Sequence, residues 1–426
     1  MNKKNSKGLF VEKDILFIFI LALGIRLIFA HLYRTYIGLP YKLLNFETEG
    51  FGDFEHFYLV WAENFISMKW YPYSYGNVIE QLNWYSYTPF FLYTISLFKL
   101  LFLPKWSPAI PIVLFDSGCA IMIFKILNGL SSKKSALLGS IVFSVSAVNI
   151  FYIGTYWLNP SPMIFFLLVS FYYLINCRHY TSIFYLVISI MMKQTGLYYV
   201  PLFIAFLIRR VNEKRKIIKL LLFFIVIGVL FQIPYIFLTP NDYFSHLFAT
   251  PNPVLSTEIQ EPIDNYPITL PQFLHYGIKI NDVISGIVNK FISTYFLFTF
   301  FIILVSTYTI SSTSKNKVYN YDMLFLFTIN GIVSYILQPK GIYKYYVSTL
   351  IPFLIMSVFY GVSYMKKAHL RKYYVTASYI IFNIFIIFIP RIYTHGLMII
   401  ALIFTIYLYQ FSKTGFIARG SEHGVS

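Results

Sequence analysis

One feature recurs along the 426 residues: predominantly apolar runs, many of roughly sixteen to twenty residues. Wound into a helix at about 1.5 Å per residue, such a run matches or approaches the ~30 Å hydrocarbon core of a bilayer. A soluble fold would have to bury every one of these runs in a single core. Lipid solvates them instead, and asks only that each backbone satisfy its own hydrogen bonds, which helices do. With 58% of residues hydrophobic and 21% aromatic, the expected fold is an all-α polytopic membrane protein.

The runs predict about twelve transmembrane helices, near 14–33, 108–127, 134–153, 159–177, 180–192, 196–208, 219–238, 291–310, 322–338, 345–365, 373–389 and 396–411. The first follows a charged start without a small-residue cleavage site, so it reads as a retained anchor. An even number of spans puts both termini on one side. Placing that side in the cytoplasm gathers the basic clusters "KKNSK", "SSKK", "RRVNEKRKIIK", "TSKNK" and "KKAHLRK" there, as the positive-inside rule requires. The net charge of +17 is then an orientation signal, and nucleic acid is not an expected partner. The segment 87–104 is apolar but carries Lys99, and a full crossing would flip every later basic loop outward. It is read as a re-entrant or interfacial helix. The rival reading keeps it as a span and turns the N-terminus outward.

This topology leaves two long extracytoplasmic loops, 34–107 and 239–290, and a cytoplasmic tail, 412–426, expected to be disordered. Loops of that length suggest a site facing the exterior or a lumen. In the first loop "GFGDFEHFYLVWAENF" gathers Asp53, Glu55 and Glu63 in a chain of which only 12% is charged. Asp53 falls at a helix start, where it reads either as an N-cap or as a general base whose pKa is raised by partial desolvation. Downstream lie seven Trp and Tyr residues between Trp70 and Tyr87. They read as an interfacial belt, or as an aromatic cleft in which Tyr85, Tyr87 and Glu80 contact a sugar. Lys193 and Gln194 sit at the outer end between two short spans, where a lysine either snorkels to the surface or serves a function. Lys340, Lys344 and Arg391 share that outer side, and four such cations suit an anionic head group, a phosphate above all. Arg26 and Asp116, both inside spans, are expected to pair. Neither the cysteines, Cys119 and Cys177, nor His31, His56, His246 and His275 show metal-ligand spacing, and no zinc site is expected.

The order of a first span, a long outer loop with an acidic pair, a re-entrant aromatic-Pro helix and a multi-span body resembles the GT-C glycosyltransferases, membrane enzymes that use polyprenyl-phosphate sugars. The nearest local likeness is to the dolichyl-phosphate-glucose-dependent glucosyltransferases of N-glycan assembly: Gly52-Asp53-Phe54-Glu55 with Trp61 and Trp70-Tyr71, and Lys193-Gln194 with Leu197, Tyr198 and Pro201. "YSYTPF", residues 85 to 90, looks more like the GPI mannosyltransferases. The chain departs from the glucosyltransferase pattern at "YIGTYWLNPSP" and at "QPKGIYKYY", where only a lysine, Lys344, matches.

The resemblance implies an inverting hexosyltransferase. Asp53 would be the base that deprotonates an acceptor hydroxyl, Lys193, Lys340, Lys344 and Arg391 would hold the donor phosphate, and Glu55, Glu80, Tyr85, Tyr87 and Gln194 would contact sugar or acceptor. The implied partners are a polyprenyl-phosphate sugar donor and a lipid-linked glycan acceptor, with glucose and mannose both open. No cofactor is expected, and a divalent metal is not required, because the leaving lipid phosphate is a stable anion that fixed cations neutralise. An archaeal plasma membrane and the endoplasmic reticulum fit equally. The rival class is a transporter or lipid flippase, which should carry a repeat relating its halves and helices broken at midplane. A scaffold without chemistry would leave the acidic pair and the cations without a reason to share a side.

Overall fold

The computed structural model describes residues 3–36, 52–67, 72–73, 85, 87–102, 104–211, 213–248, 259, 261–262, 269–277, 320–338, 343–363 and 369–422. Among them every regular element is helical. In chain order these are α1 (Lys3–Tyr36), α2 (Leu59–Ser67), α3 (Pro89–Leu101), α4 (Ala109–Leu130), α5 (Lys133–Ser144), α6 (Pro160–Ile175), α7 (His179–Met192), α8 (Val200–Arg210), α9 (Lys214–Leu230), α10 (Ile233–Leu238), α11 (Pro240–Phe248), α12 (Asn320–Ile336), α13 (Ile351–Ser363), α14 (His369–Phe388) and α15 (Thr394–Glu422). Single-turn segments of π- or 3-10 geometry join several of them.

Among the described residues, four helical segments are long and apolar enough to cross a membrane: Glu12–Thr35, Ala109–Leu130, Lys133–Thr155 and Arg391–Ser412. Shorter apolar helices accompany them, including Pro160–Ile175, His179–Met192 and Ile351–Ser363. Large apolar side chains stand outward along α1, α9, α14 and α15, such as Ile20, Ile225, Ile381 and Ile403, giving an exterior that suits lipid better than water. The span expected at 291–310 lies outside the described residues. The tail departs from expectation, since α15 runs through to Glu422 with no proline to stop it.

Helix α3 is thirteen residues long, hence about 20 Å, short of a bilayer's hydrocarbon thickness. Pro89 opens it, where a missing N–H costs nothing. Lys99 near its end reaches Glu63 of α2 at 3.3 Å, so the lysine that made a crossing unfavourable is paired with the acidic cluster.

Serines rivet α6 to α7. Ser170 Oγ donates to the Ser182 carbonyl at 2.7 Å, Ser182 Oγ to the Ser170 carbonyl at 2.6 Å, and Ser189 Oγ to the Met163 carbonyl at 2.8 Å. Small hydroxylated residues let two helices approach closely while their hydrogen bonds cross between them. This hairpin sets the end of α7 beside the start of α6, and that is where the site lies.

A second clasp is aromatic. Tyr73 packs edge-on against Tyr235 and Tyr243, each at 4.9 Å between ring centroids, and its hydroxyl donates to the Tyr87 carbonyl at 2.9 Å. Tyr93 Oη donates to Tyr235 Oη at 2.6 Å, and His246 Nδ1 lies 2.9 Å from the Tyr85 carbonyl. Aromatic pairs of this geometry add to the area they bury, and here they fasten Tyr73, Tyr85 and Tyr93 to α10 and α11.

Candidate active site

Asp53 begins the helical turn that leads into α2. Gly52 before it holds φ of 84°, a left-handed conformation open to glycine at little cost, and a Cβ there would meet His56 at 2.9 Å. The capping role does not hold. Asp53 itself is already helical, at φ of −54° and ψ of −35°, and its side chain makes no capping hydrogen bond. Its partly exposed carboxylate is therefore left to the site.

Burial pushes the Asp53 carboxyl up to about 6, against the opposing pull of Lys193 and then His56. Lys193, almost wholly buried in the break between α7 and α8, is pushed down to about 7 by the same desolvation, with Asp53 acting to raise it. Each group thus stabilises the other's charge while the surroundings disfavour both. The two titrate as a pair rather than as separate groups.

The ammonium of Lys193 has three aromatic walls. Its Nζ stands 4.2 Å from the ring centroid of Tyr346, 5.3 Å from that of Tyr345 and 5.5 Å from that of Tyr87. Cation–π attraction of this kind strengthens when water is excluded. The fourth side is polar: Nζ donates to Asn159 Oδ1 at 2.5 Å. Asn159 also lies close enough to Tyr58 and Tyr87 to act on both phenols, against the burial that pushes their pKa values up. Tyr58 and Tyr87 are in turn within the field of Asp53. One amide oxygen therefore holds the lysine in place beside two tyrosines that also feel the carboxylate.

The turn carrying Asn159 is unusual. Trp157, just before it, holds φ of 58°, rare for a bulky side chain and costly enough that neighbours must impose it. Its ring lies 4.8 Å from that of Phe54, next to Asp53, and the Arg34 guanidinium stacks over it at 3.4 Å from the centroid. Arg34 Nη1 also donates to Glu55 Oε1 at 2.5 Å. Glu55, expected to contact the acceptor, is thus half of an ion pair at the exposed rim of the site.

The remaining residues fall into two groups. Gln194 is buried directly after Lys193, and Tyr87 forms one wall of the cage. Tyr85 is buried behind that wall, edge-on to Trp61 at 5.2 Å, with its hydroxyl donating to the Thr88 carbonyl at 2.7 Å and accepting from Leu92 N at 3.2 Å. Lys344 and Arg391 form a neighbouring cluster: Lys344 Nζ donates to the Ile389 carbonyl, two residues before Arg391, and both side chains are buried. The cations acting most on Asp53 are Lys193 and His56, not these two. Glu80 and Lys340 lie outside the described residues. Sequence reasoning missed Asn159, Tyr58, Tyr345, Tyr346 and Trp157. Two of these had a signal, Tyr345 and Tyr346, as the Tyr-Tyr that follows Lys344 at the start of a helical turn.

Among the described residues no group of three or more His, Cys, Asp or Glu side chains is placed to hold a metal ion. The arrangement can accept a proton at Asp53 and present positive charge at Lys193 within one desolvated space walled by tyrosine. Compared with known proteins, the chain matches no family model and no curated sequence.

Proposed function

We propose that the protein is an inverting glycosyltransferase of the GT-C kind, with about twelve membrane crossings and both termini in the cytoplasm. It moves a hexose, glucose or mannose, from a polyprenyl-phosphate donor to a lipid-linked glycan acceptor on the extracytoplasmic face. The observation that carries the reading is the opposition of Asp53 and Lys193 in one tyrosine-walled space: a carboxylate whose pKa is lifted into the working range beside a desolvated ammonium.

The chemistry follows from those two groups. The acceptor hydroxyl gives its proton to Asp53 as its oxygen attacks the anomeric carbon from the face opposite the phosphate. The bond from that carbon to the phosphate oxygen breaks, its electron pair leaves with the polyprenyl phosphate, and the configuration inverts. A fixed cation opposite the developing phosphate charge is worth far more in a dry site than in water. Lys193 is the cation that acts most on Asp53, while Lys344 and Arg391 extend positive charge along the adjoining segments. Tyr87 and Tyr346 offer ring faces to a sugar. Glu55 with Arg34 marks the rim through which the acceptor enters.

The test is to incubate the purified protein with dolichyl-phosphate mannose or dolichyl-phosphate glucose and a membrane lipid extract, following the labelled sugar. Transfer from one donor to a lipid-linked product supports the reading. Binding or bilayer passage of the donor lipid without any transfer, from both donors, would replace it with a flippase.

A further inference from the structure

Among the described residues, the most heavily buried charges lie elsewhere. Arg26 of α1 and Asp116 of α4 are both fully buried, and Arg26 Nε donates to Asp116 Oδ2 at 2.7 Å. The rest of the guanidinium reaches backbone. Nη2 donates to the Phe143 carbonyl at 3.3 Å, and Nη1 to the Ala22 carbonyl at 3.5 Å and to the Ser144 carbonyl. Ser144 is the last residue of α5, so Arg26 supplies a donor to a carbonyl that the helix end leaves open, and adds a second donor to the Phe143 carbonyl, which already accepts from Ser146 N at 3.0 Å. Inside a bilayer such carbonyls must be satisfied by protein.

The pair continues as a polar chain. Asn149 Nδ2 donates to Asp116 Oδ1 at 2.9 Å, Ser146 Oγ lies 3.2 Å from Asn149 Oδ1, and the same hydroxyl donates to Asn383 Oδ1 of α14 at 2.8 Å. After Asn149 the chain makes a π-helical turn, Ile150–Thr155, which returns to Arg26: a Cβ on Gly154 would sit 3.2 Å from Arg26 Cγ and 3.5 Å from its Cα. The segment from Phe143 to Gly154 is therefore held against Arg26 at both ends. Trp157, in its left-handed conformation, and Asn159, the acceptor for Lys193, come immediately after.

We infer that Arg26 and Asp116 are positioning residues for the Asp53–Lys193 site: their pairing fixes the π-helical segment, and the segment sets the turn that places Asn159 against Lys193. The inference rests on the reading of that site given above. Stability alone is a poor reason for such a pair, because well-packed apolar residues often serve a core as well as a buried ion pair. Fixing one arrangement of a broken helix is a better one.

The test uses two variants of the full chain in lipid nanodiscs. R26Q/D116N removes both charges together and so leaves no uncompensated buried charge. Gly154→Ala keeps the pair and presses on it. Each is prepared with 5-fluorotryptophan, and the Trp157 fluorine resonance is assigned by its loss in Trp157→Phe. Both variants are expected to shift the Trp157 resonance while leaving that of Trp106 in place, to lower sugar transfer about 10- to 100-fold, and to move the alkaline limb of the pH profile. An unchanged Trp157 resonance and an unchanged pH profile in either folded variant overturn the inference. Should the double variant not fold, Gly154→Ala decides by the same two readouts. Absence of transfer in the wild-type protein counts against the glycosyltransferase reading alone, since the Trp157 resonance reports the turn without any reaction.

Discussion

At the scale of single residues the site is a balance between burial and pairing. A base works only when deprotonated, so Asp53 favours activity above about 6; a cation works only when protonated, so Lys193 favours it below about 7. The pH–rate profile should be a narrow bell whose two limbs belong to the coupled pair. Lys193→Gln removes a charge that pulls the Asp53 pKa down while leaving a group able to donate to Asn159. Its acid limb should therefore move to higher pH and its alkaline limb should vanish, with lower transfer throughout. An acid limb that stays in place would mean that the Lys193 charge does not act on the base. Asp53 and Lys193 were legible in the sequence because charge is expensive in an apolar chain and so draws notice. Asn159 was not: an asparagine before a proline reads as a turn and no more, and only the folded hairpin brings it to Lys193.

At the scale of elements, helix positions were largely legible because each is set by a local apolar run, whereas the breaks were not. Nothing in Val145-Ser146 announces the end of α5, with neither Gly nor Pro there. At the break Arg26, far away in the chain, donates to the Ser144 carbonyl and joins Ser146 N on that of Phe143. The same holds for the α6–α7 hairpin, where a serine every few residues looks incidental until the two helices face each other. Ser189 lies four residues before Lys193, and its bond to the Met163 carbonyl holds α7 to the first turn of α6, which begins next to Asn159. Ser189→Ala should cost about 0.5–1 kcal/mol of stability, in the range of interhelical hydrogen bonds in membranes. Transfer should fall modestly, as the Lys193–Asn159 contact loosens. Thermal unfolding in detergent measures the first effect, and an unaltered midpoint would show that the serine carries no share of the hairpin.

At the scale of the whole molecule, the proposed sidedness, read from the basic clusters in the sequence, would put Asp53 outside the cytoplasm. The short α3, bonded to α2 through Lys99 and Glu63, fits a helix lying against the site rather than crossing the bilayer. Cysteines introduced at Ser74 and at Ser256 should both react with a membrane-impermeant thiol reagent from the outside of intact cells. Protection of both would invert the topology and move the site to the cytoplasm. The aromatic clasp between Tyr73 and α11 was only half legible. The density of tyrosine was plain in the sequence, but its partners come from a segment well over a hundred residues away.

The most direct measurement is the rate of labelled-sugar transfer by wild-type protein and by Asp53→Asn, at a pH between the two limbs and with the Trp157 resonance recorded for both. Loss of general-base catalysis lowers a rate by about 10²- to 10⁴-fold, and the account predicts a fall of that order with the Trp157 environment preserved. Undiminished transfer by Asp53→Asn would contradict it, because the proton of the acceptor hydroxyl would then have gone elsewhere.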